Sequence, residues 1–160
     1  MLTETTTLSG KADVRLREML ARIKQNGLRL TPQRVAIVRM LAGSSAHPSV
    51  EQIHAAVRRN FPTTSLATVY KTVAMLKEMG EVMELGFGDT SNRYDANQPF
   101  SHPHLICTRC RQITDSHPAA LDSLAKELAR ESGYRILHQR IDFYGICPAC
   151  QKKEPHATVT

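Results

Sequence analysis

Tryptophan is absent from the 160 residues, and four Phe and four Tyr bring aromatics to only 5%, against 41% hydrophobic residues overall. So little aromatic volume implies that neither half buries a large core, and that metal or oligomerisation reinforces the fold. Long apolar runs are also missing, all falling far short of the roughly 20 residues a membrane helix needs. The opening MLTETTTLSGK lacks the apolar region of a signal peptide, so a cytoplasmic protein with no membrane partner is expected. Neither HExxH nor HxE followed by PCxxC occurs, which removes the usual frames of a zinc hydrolase or deaminase, and no catalytic residues are assigned. The length suits one ordinary domain or two small ones, not a large barrel or a repeat array.

What is present is charge, unevenly placed. Residues 11–80 hold 12 Lys/Arg against 4 Asp/Glu, whereas residues 81–160 hold 9 against 10. A basic first half attracts phosphate, and a near-neutral second half has some other task; a merely solvated basic surface is the bland alternative.

Helical periodicity organises the first half. VRLREMLARIKQNG (14–27) carries Leu16, Leu20 and Ile23 on one face and stops at Gly27. Thr31 before Pro32 reads as an N-cap followed by proline in the first turn, and Val35, Ile37, Val38 and Leu41 make the next stripe. Ser49 and Gln52 stand at capping-box spacing ahead of Ile53, Ala56 and Val57. From Ser65, a fourth helix lines up Leu66, Val69, Val73 and Leu76 and leaves Thr68, Lys71, Thr72 and Lys77 outward. EVMELGFG and NRYD around the turn GDTS then read as a β-hairpin, and helices followed by a hairpin describe a winged helix-turn-helix. Beyond it, HLICTRCRQITD reads as a strand, PAALDSLAKELARESG as a helix and YRILHQRIDFYGIC as a strand, a small α/β unit. The fold class is therefore α+β. It comprises a winged-helix domain over 1–95 with an N-terminal extension at 1–13, a hinge at 96–103, a second domain at 104–153 and a tail at 154–160.

All four cysteines fall into two CxxC pairs, Cys107/Cys110 and Cys147/Cys150. Two thiolates at a chain turn reach one tetrahedral ion, and two such pairs fill its four positions, so the spacing points to a closed, structural zinc(II) site. Disulfides are disfavoured in a cytosolic protein, and unpaired core thiols by the pairing itself.

Seven histidines include one suggestive pair. His102 and His104 lie two apart on an extended segment, so their side chains project to one side and can share an ion. Asp115 and Asp95 are plausible oxygen ligands, and His47, in the loop SSAHPS, is distant in sequence. Metal ligation and ordinary hydrogen-bonded or exposed histidines both remain open on the spacing alone. His54 reads as packed or exposed, His117 as a helix N-cap, His138 as a strand residue and His156 as part of the tail.

Taken together, LRLTPQRVAIVRML, AHPSVEQI, SLATVYKTVAMLKEMG, NRYD, HPHLICTRC and YGICPAC resemble, in order and spacing, the ferric-uptake-regulator (Fur) family of metal-dependent repressors. The resemblance spans all but residues 1–13 and the tail after Lys153. It implies a homodimer that binds palindromic double-stranded operator DNA through its winged-helix domain and dimerises through its second domain. It further implies that the four cysteines hold structural zinc, and that His47, Asp95, His102, His104 and Asp115 hold a regulatory iron(II) or manganese(II). Aspartate at 95 and 115 is the pattern of the family's peroxide-sensing branch, in which His47 and His102 correspond to the histidines that become oxidised. Pro103 replaces the middle residue of the HDH stretch found in many iron sensors, which implies one metal site fewer. Lys71 stands where those peroxide sensors carry Asn, leaving the operator sequence open.

Three imidazoles and two carboxylates without a thiolate suit iron(II) or manganese(II). The N-terminal half of the fourth helix should enter the major groove, making Ser65, Thr68, Tyr70 and Lys71 candidates for base and phosphate contacts. Arg29 matches a basic position that relatives insert into the minor groove. The resulting expectation is a peroxide-sensing repressor rather than an enzyme, with a plain iron- or manganese-responsive repressor as the alternative.

Overall fold

The computed structural model describes residues 10–87, 90–118, 120–137 and 139–153. His138, His156, Gly88 and Asp89 of the expected turn, and the terminal segments 1–9 and 154–160 lie outside the described residues. The chain divides into two compact units, Met1–Pro99 and Phe100–Thr160.

The first unit contains α1 (Gly10–Gln25), α2 (Pro32–Ala42), α3 (Val50–Arg58), α4 (Leu66–Glu78), β1 (Met83–Phe87) and β2 (Thr90–Asp95). The starts of α2, α3 and α4 are capped as their sequences prescribe. Thr31 accepts the Arg34 amide ahead of Pro32, Ser49 and Gln52 close a full capping box, and Ser65 accepts the Thr68 amide. Gly27 and Gly80, both at φ +70, end α1 and α4 by letting Leu28 N–H reach Ile23 C=O and Glu81 N–H reach Leu76 C=O. Helix α1 starts four residues before Val14, inside the segment expected to be an extension, and Ala12 is buried.

The expectation of a small core fails for this unit. Aliphatic and sulfur-containing side chains substitute for aromatics: Met19, Ile23, Ile37, Leu41, Ile53, Val69 and Leu76 are essentially solvent-free, and Val82, Tyr94 and Ala96 extend the cluster to the hairpin. Thr72, expected outward, is buried as well; its hydroxyl donates to Thr68 C=O at 2.8 Å, which removes the need for water. Strands β1 and β2 pair antiparallel, Met83 opposite Asp95 and Leu85 opposite Arg93, with an irregularity between Leu85 and Phe87.

Arg15 of α1 fastens the two ends of this hairpin. Its guanidinium donates to Ala96 C=O at 2.6 Å, to the Glu81 carboxylate at 2.7 Å and to Glu81 C=O at 2.9 Å, while Arg22 reaches the same carboxylate at 3.1 Å. Glu81 is thereby buried with its charge matched.

The second unit is a three-stranded sheet in the order β4-β3-β5 with two helices. HLICTRCRQITD, expected to be one strand, folds back on itself as β3 (His104–Cys107) and β4 (Ile113–Asp115), antiparallel about the turn that contains Cys110, with Arg111 at φ +62. The expected last strand shrinks to β5 (Asp142–Gly145), parallel to β3. Helix α5 (Ala120–Ser132) crosses between β4 and β5, and a short helix, α6 (Pro148–Gln151), carries the last cysteine. Among the described residues here, buried apolar side chains are few, Pro103, Ile106, Cys107 and Ile113, whereas Leu105, Phe143 and Tyr144 are about half exposed or more. Among the described residues no helix is long and apolar enough to cross a membrane.

Candidate metal centres and nucleic-acid face

The four cysteines converge at one corner of the second unit. Cys107 ends β3, Cys110 closes the following turn, Cys147 caps α6 and Cys150 lies within it. Their sulfurs lie within 4.8 Å of one another, and Cys110 Sγ is 3.7 Å from Cys147 Sγ. Four thiolates about 2.3 Å from a tetrahedral ion stand about 3.8 Å apart, whereas a disulfide would need about 2 Å. The donor set and its spacing therefore fit zinc, and all four cysteines are unbridged. The Cys110 and Cys147 amides donate to Cys107 Sγ and bring that thiol down to about 6, the thiolate form a metal requires. Cys150 is pushed up to about 12 by its hydrogen bonds with the Cys147 and Cys110 sulfurs.

The first unit contributes a histidine and a carboxylate. His47 Nε2 lies 3.7 Å from Asp95 Oδ2, with both side chains buried. Asp95 Oδ1 accepts the Asn97 and Gln98 amides at 2.8 and 3.1 Å, so its other oxygen is the one aimed at His47. Burial opposes ionisation of Asp95, but the hydrogen bond and charge of His47 together with those two amides outweigh it and hold the carboxyl below its ordinary value.

The second unit contributes two histidines and a carboxylate. Asp115 stands opposite His104 in the β3–β4 register, and its Oδ1 lies 3.3 Å from His102 Nε2 and 3.9 Å from His104 Nε2. His102 Nδ1 is 2.8 Å from Phe100 C=O; a carbonyl only accepts, so that nitrogen is the donor there and Nε2 is the atom turned toward Asp115. Donors about 2.1 Å from one six-coordinate ion stand about 3 Å apart when adjacent and about 4.2 Å apart when opposed. Each of the two clusters has spacings in this range.

The candidate DNA residues divide by role. Ser65 is the N-cap of α4, and its hydroxyl also lies 2.9 Å from Thr68 Oγ1. Tyr70 and Lys71 are exposed on the first turns of α4, and Arg29 is exposed ahead of α2. Tyr70 donates to Glu51 Oε1 of α3 at 3.1 Å. Glu51 is held below its ordinary value by hydrogen bonds from Ser49 first, then from its own amide, Tyr70 and Ser91. Lys77 pairs with Glu84 of β1. His54, expected to be packed or exposed, is half-buried with Nε2 2.9 Å from Thr64 C=O, and the His117 ring lies 5.5 Å from that of His102.

Residues 25–144 match the ferric uptake regulator family. The chain is 41% identical over 141 residues to the peroxide operon regulator of Bacillus subtilis (strain 168), covering 88% of this chain and 97% of that one. The chain belongs to the ferric uptake regulator family. Among solved structures it is similar to the Campylobacter jejuni peroxide stress regulator, with 30% identity, a TM-score of 0.66, and coverage of 82% of this chain and 98% of that one. The Helicobacter pylori ferric uptake regulator Fur, at 24% identity, shares the fold with a TM-score of 0.76 over 91% of this chain and 96% of that one.

Three residues of this Fur-family chain escaped the sequence reading. Asp142 opens β5 opposite His104, with Oδ1 3.5 Å from His104 Nδ1 and Oδ2 accepting Arg140 Nε at 2.7 Å. An acid opening the otherwise apolar run IDFYG is the only local sign of it. Arg93 donates to the backbone carbonyls of His47 and Ala46; its place two residues before Asp95, on the same face of a strand, was the signal available. Glu51, the acid that receives Tyr70, had no local signal.

Proposed function

We propose that this protein is a cytoplasmic, metal-dependent transcriptional repressor that senses peroxide and is not an enzyme. The observation that carries the reading is the donor set. Oxygen and nitrogen ligands without sulfur lie on both units, with aspartate rather than glutamate at 95 and 115. The similarity to the peroxide operon regulator of Bacillus subtilis supports the same reading.

In this proposal His47 and Asp95 on the DNA-reading unit and His102, His104 and Asp115 on the other hold one iron(II) or manganese(II) jointly, while Cys107, Cys110, Cys147 and Cys150 hold zinc. Ligands engaged only when the two units close favour that closed arrangement. At 100 times the dissociation constant the differential affinity supplies up to about 2.7 kcal/mol. DNA binding must in return tighten metal binding. Iron(II) held by these residues would promote transfer of one oxygen atom from peroxide to an adjacent imidazole, the other peroxide oxygen leaving as water, whereas manganese(II) would resist this chemistry. By the resemblance to the family's peroxide sensors His47 and His102 are the residues to be oxidised, and a modified imidazole ligates poorly, so the units would be released and DNA lost.

Helix α4 enters the major groove with Tyr70 and Lys71 foremost and Ser65 and Thr68 behind them, while Arg29 reaches the minor groove. Leu105 and Phe143, neighbours in the β3–β5 register and exposed on one face of the sheet, are the apolar surface through which a second copy completes the dimer. The test is operator binding by the zinc-replete protein loaded with iron(II) or manganese(II), with and without peroxide, followed by peptide mass analysis. The iron form should lose the operator and gain one oxygen atom on His47 or His102, whereas the manganese form should keep both operator and mass. Retention of the operator by both forms, with unmodified histidines, would leave a plain iron- or manganese-responsive repressor.

A further inference from the structure

Strand β2 holds the loop before α3 from two directions. Arg93 and Asp95, two residues apart, leave the strand on one face, and both end at His47. The Asp95 carboxylate faces the imidazole at 3.7 Å. The Arg93 guanidinium instead takes the backbone: Nε donates to His47 C=O at 2.5 Å and Nη2 to Ala46 C=O at 3.4 Å. Between them, the Tyr94 amide donates to Pro48 C=O at 3.1 Å, and Ser49 bridges to Arg93.

His47 needs such a hold. Its φ of +48 lies in the left-handed region, which is disfavoured for every residue with a β-carbon and persists where the surroundings over-determine it. A planar fork with donors to two successive carbonyls fixes the orientation of that peptide in a way one ammonium cannot. The backbone rotation at His47 decides where its buried imidazole points.

We infer that Arg93 is a positioning residue for metal binding: it locks the left-handed backbone at His47 so that the imidazole meets Asp95 over the ion. This rests on the reading of His47 and Asp95 as ligands. Arg93 acts through His47 alone and has no part in the ligand set of the second unit.

The experiment is a double-mutant cycle on the full-length, zinc-loaded protein, with manganese(II) affinity read from the electron paramagnetic resonance signal of the free ion. Arg93→Ala and His47→Ala should each weaken binding about 10- to 100-fold, the range for losing a residue that orients a ligand. In the double variant the loss should equal that of His47→Ala alone. Should Arg93→Ala fail to fold, Arg93→Lys replaces it in the same cycle; it keeps the charge but only one donor centre, and its smaller loss should likewise vanish when His47 is absent. A second readout follows oxidation of the iron(II) form by peroxide. Arg93→Ala should lower the ratio of oxidised His47 to oxidised His102, which a general loosening of the fold would leave unchanged.

Wild-type affinity in the arginine variants alongside a loss in His47→Ala would overturn the inference, as would losses that multiply in the double variant. Wild-type affinity in His47→Ala would overturn the ligand reading itself, and the inference with it.

Discussion

His104 Nδ1 lies 3.5 Å from Asp142 Oδ1, while the opposite nitrogen of the ring faces Asp115 at 3.9 Å. The two carboxylates bracket one buried imidazole. A carboxylate beside Nδ1 favours a proton there and leaves the lone pair on Nε2, which orients the ring and raises its basicity as a ligand. Asp142→Ala is therefore expected to weaken manganese(II) binding about 10- to 100-fold, with zinc content and helicity unchanged. Metal titration together with zinc analysis checks it.

Cys110→Ser should cost the second unit its fold. With few buried apolar residues, this unit depends on an ion whose binding is worth about 10–16 kcal/mol in small zinc modules, comparable to or above the whole stability of an ordinary domain. Protease digestion should cut within residues 100–153 of the variant while leaving α1 to α4 protected, and the same pattern should follow prolonged chelation of the parent protein.

Ser65→Ala should destabilise the first unit by about 1 kcal/mol, the usual cost of losing an N-cap, measured as a shift in urea midpoint. Because the hydroxyl caps α4 and also contacts Thr68, part of any weaker operator binding in this variant traces to the helix start.

Tyr70→Phe should reduce operator affinity several-fold, with little loss of stability since the ring is about half exposed. Glu51→Gln should do the opposite for random DNA. It removes a negative charge that lies beside α4 and, in the proposed DNA complex, would face phosphates, so non-specific binding should tighten and discrimination narrow. Competition binding against operator and random duplexes measures both.

The Asp95 carboxyl is held below its ordinary value, so its contribution to stability is present above the unfolded carboxylate value of about 4 and is lost as pH falls through the lower, folded value. In protein lacking the regulatory metal, Asp95→Asn keeps an acceptor for the Asn97 and Gln98 amides but removes the titration. Its urea midpoint should consequently fall less steeply than the parent's between pH 5 and about pH 3.

The features legible beforehand share one property: they are local. A side chain closing on an amide three residues away made Thr31, Ser49 and Ser65 readable as helix starts, and CxxC spacing made the zinc corner readable. The chain reversal inside HLICTRCRQITD was hidden because Arg111, not glycine, takes the left-handed position and no period marks the turn. The extent of the first core was underestimated because aromatic content was used as its measure where Met, Ile, Leu and Val fill it. Asp142 and Arg93 left only faint local signs, which did not name the partner of either. Each depends on strand pairing or loop contact across tens of residues, His104 with Asp142 in the parallel register and Arg93 with His47 through the hairpin.

Strand β3 is only four residues long, with His104 at one end and Cys107 at the other. The thiolate corner and the imidazole cluster are thus fixed to the same short rod, and disturbing its anchorage also displaces the sensing end. Emptying the sulfur site is then expected to cost His104 its alignment with Asp115 as well. Oxidation of the cysteines would silence repression by a route that leaves every histidine chemically intact.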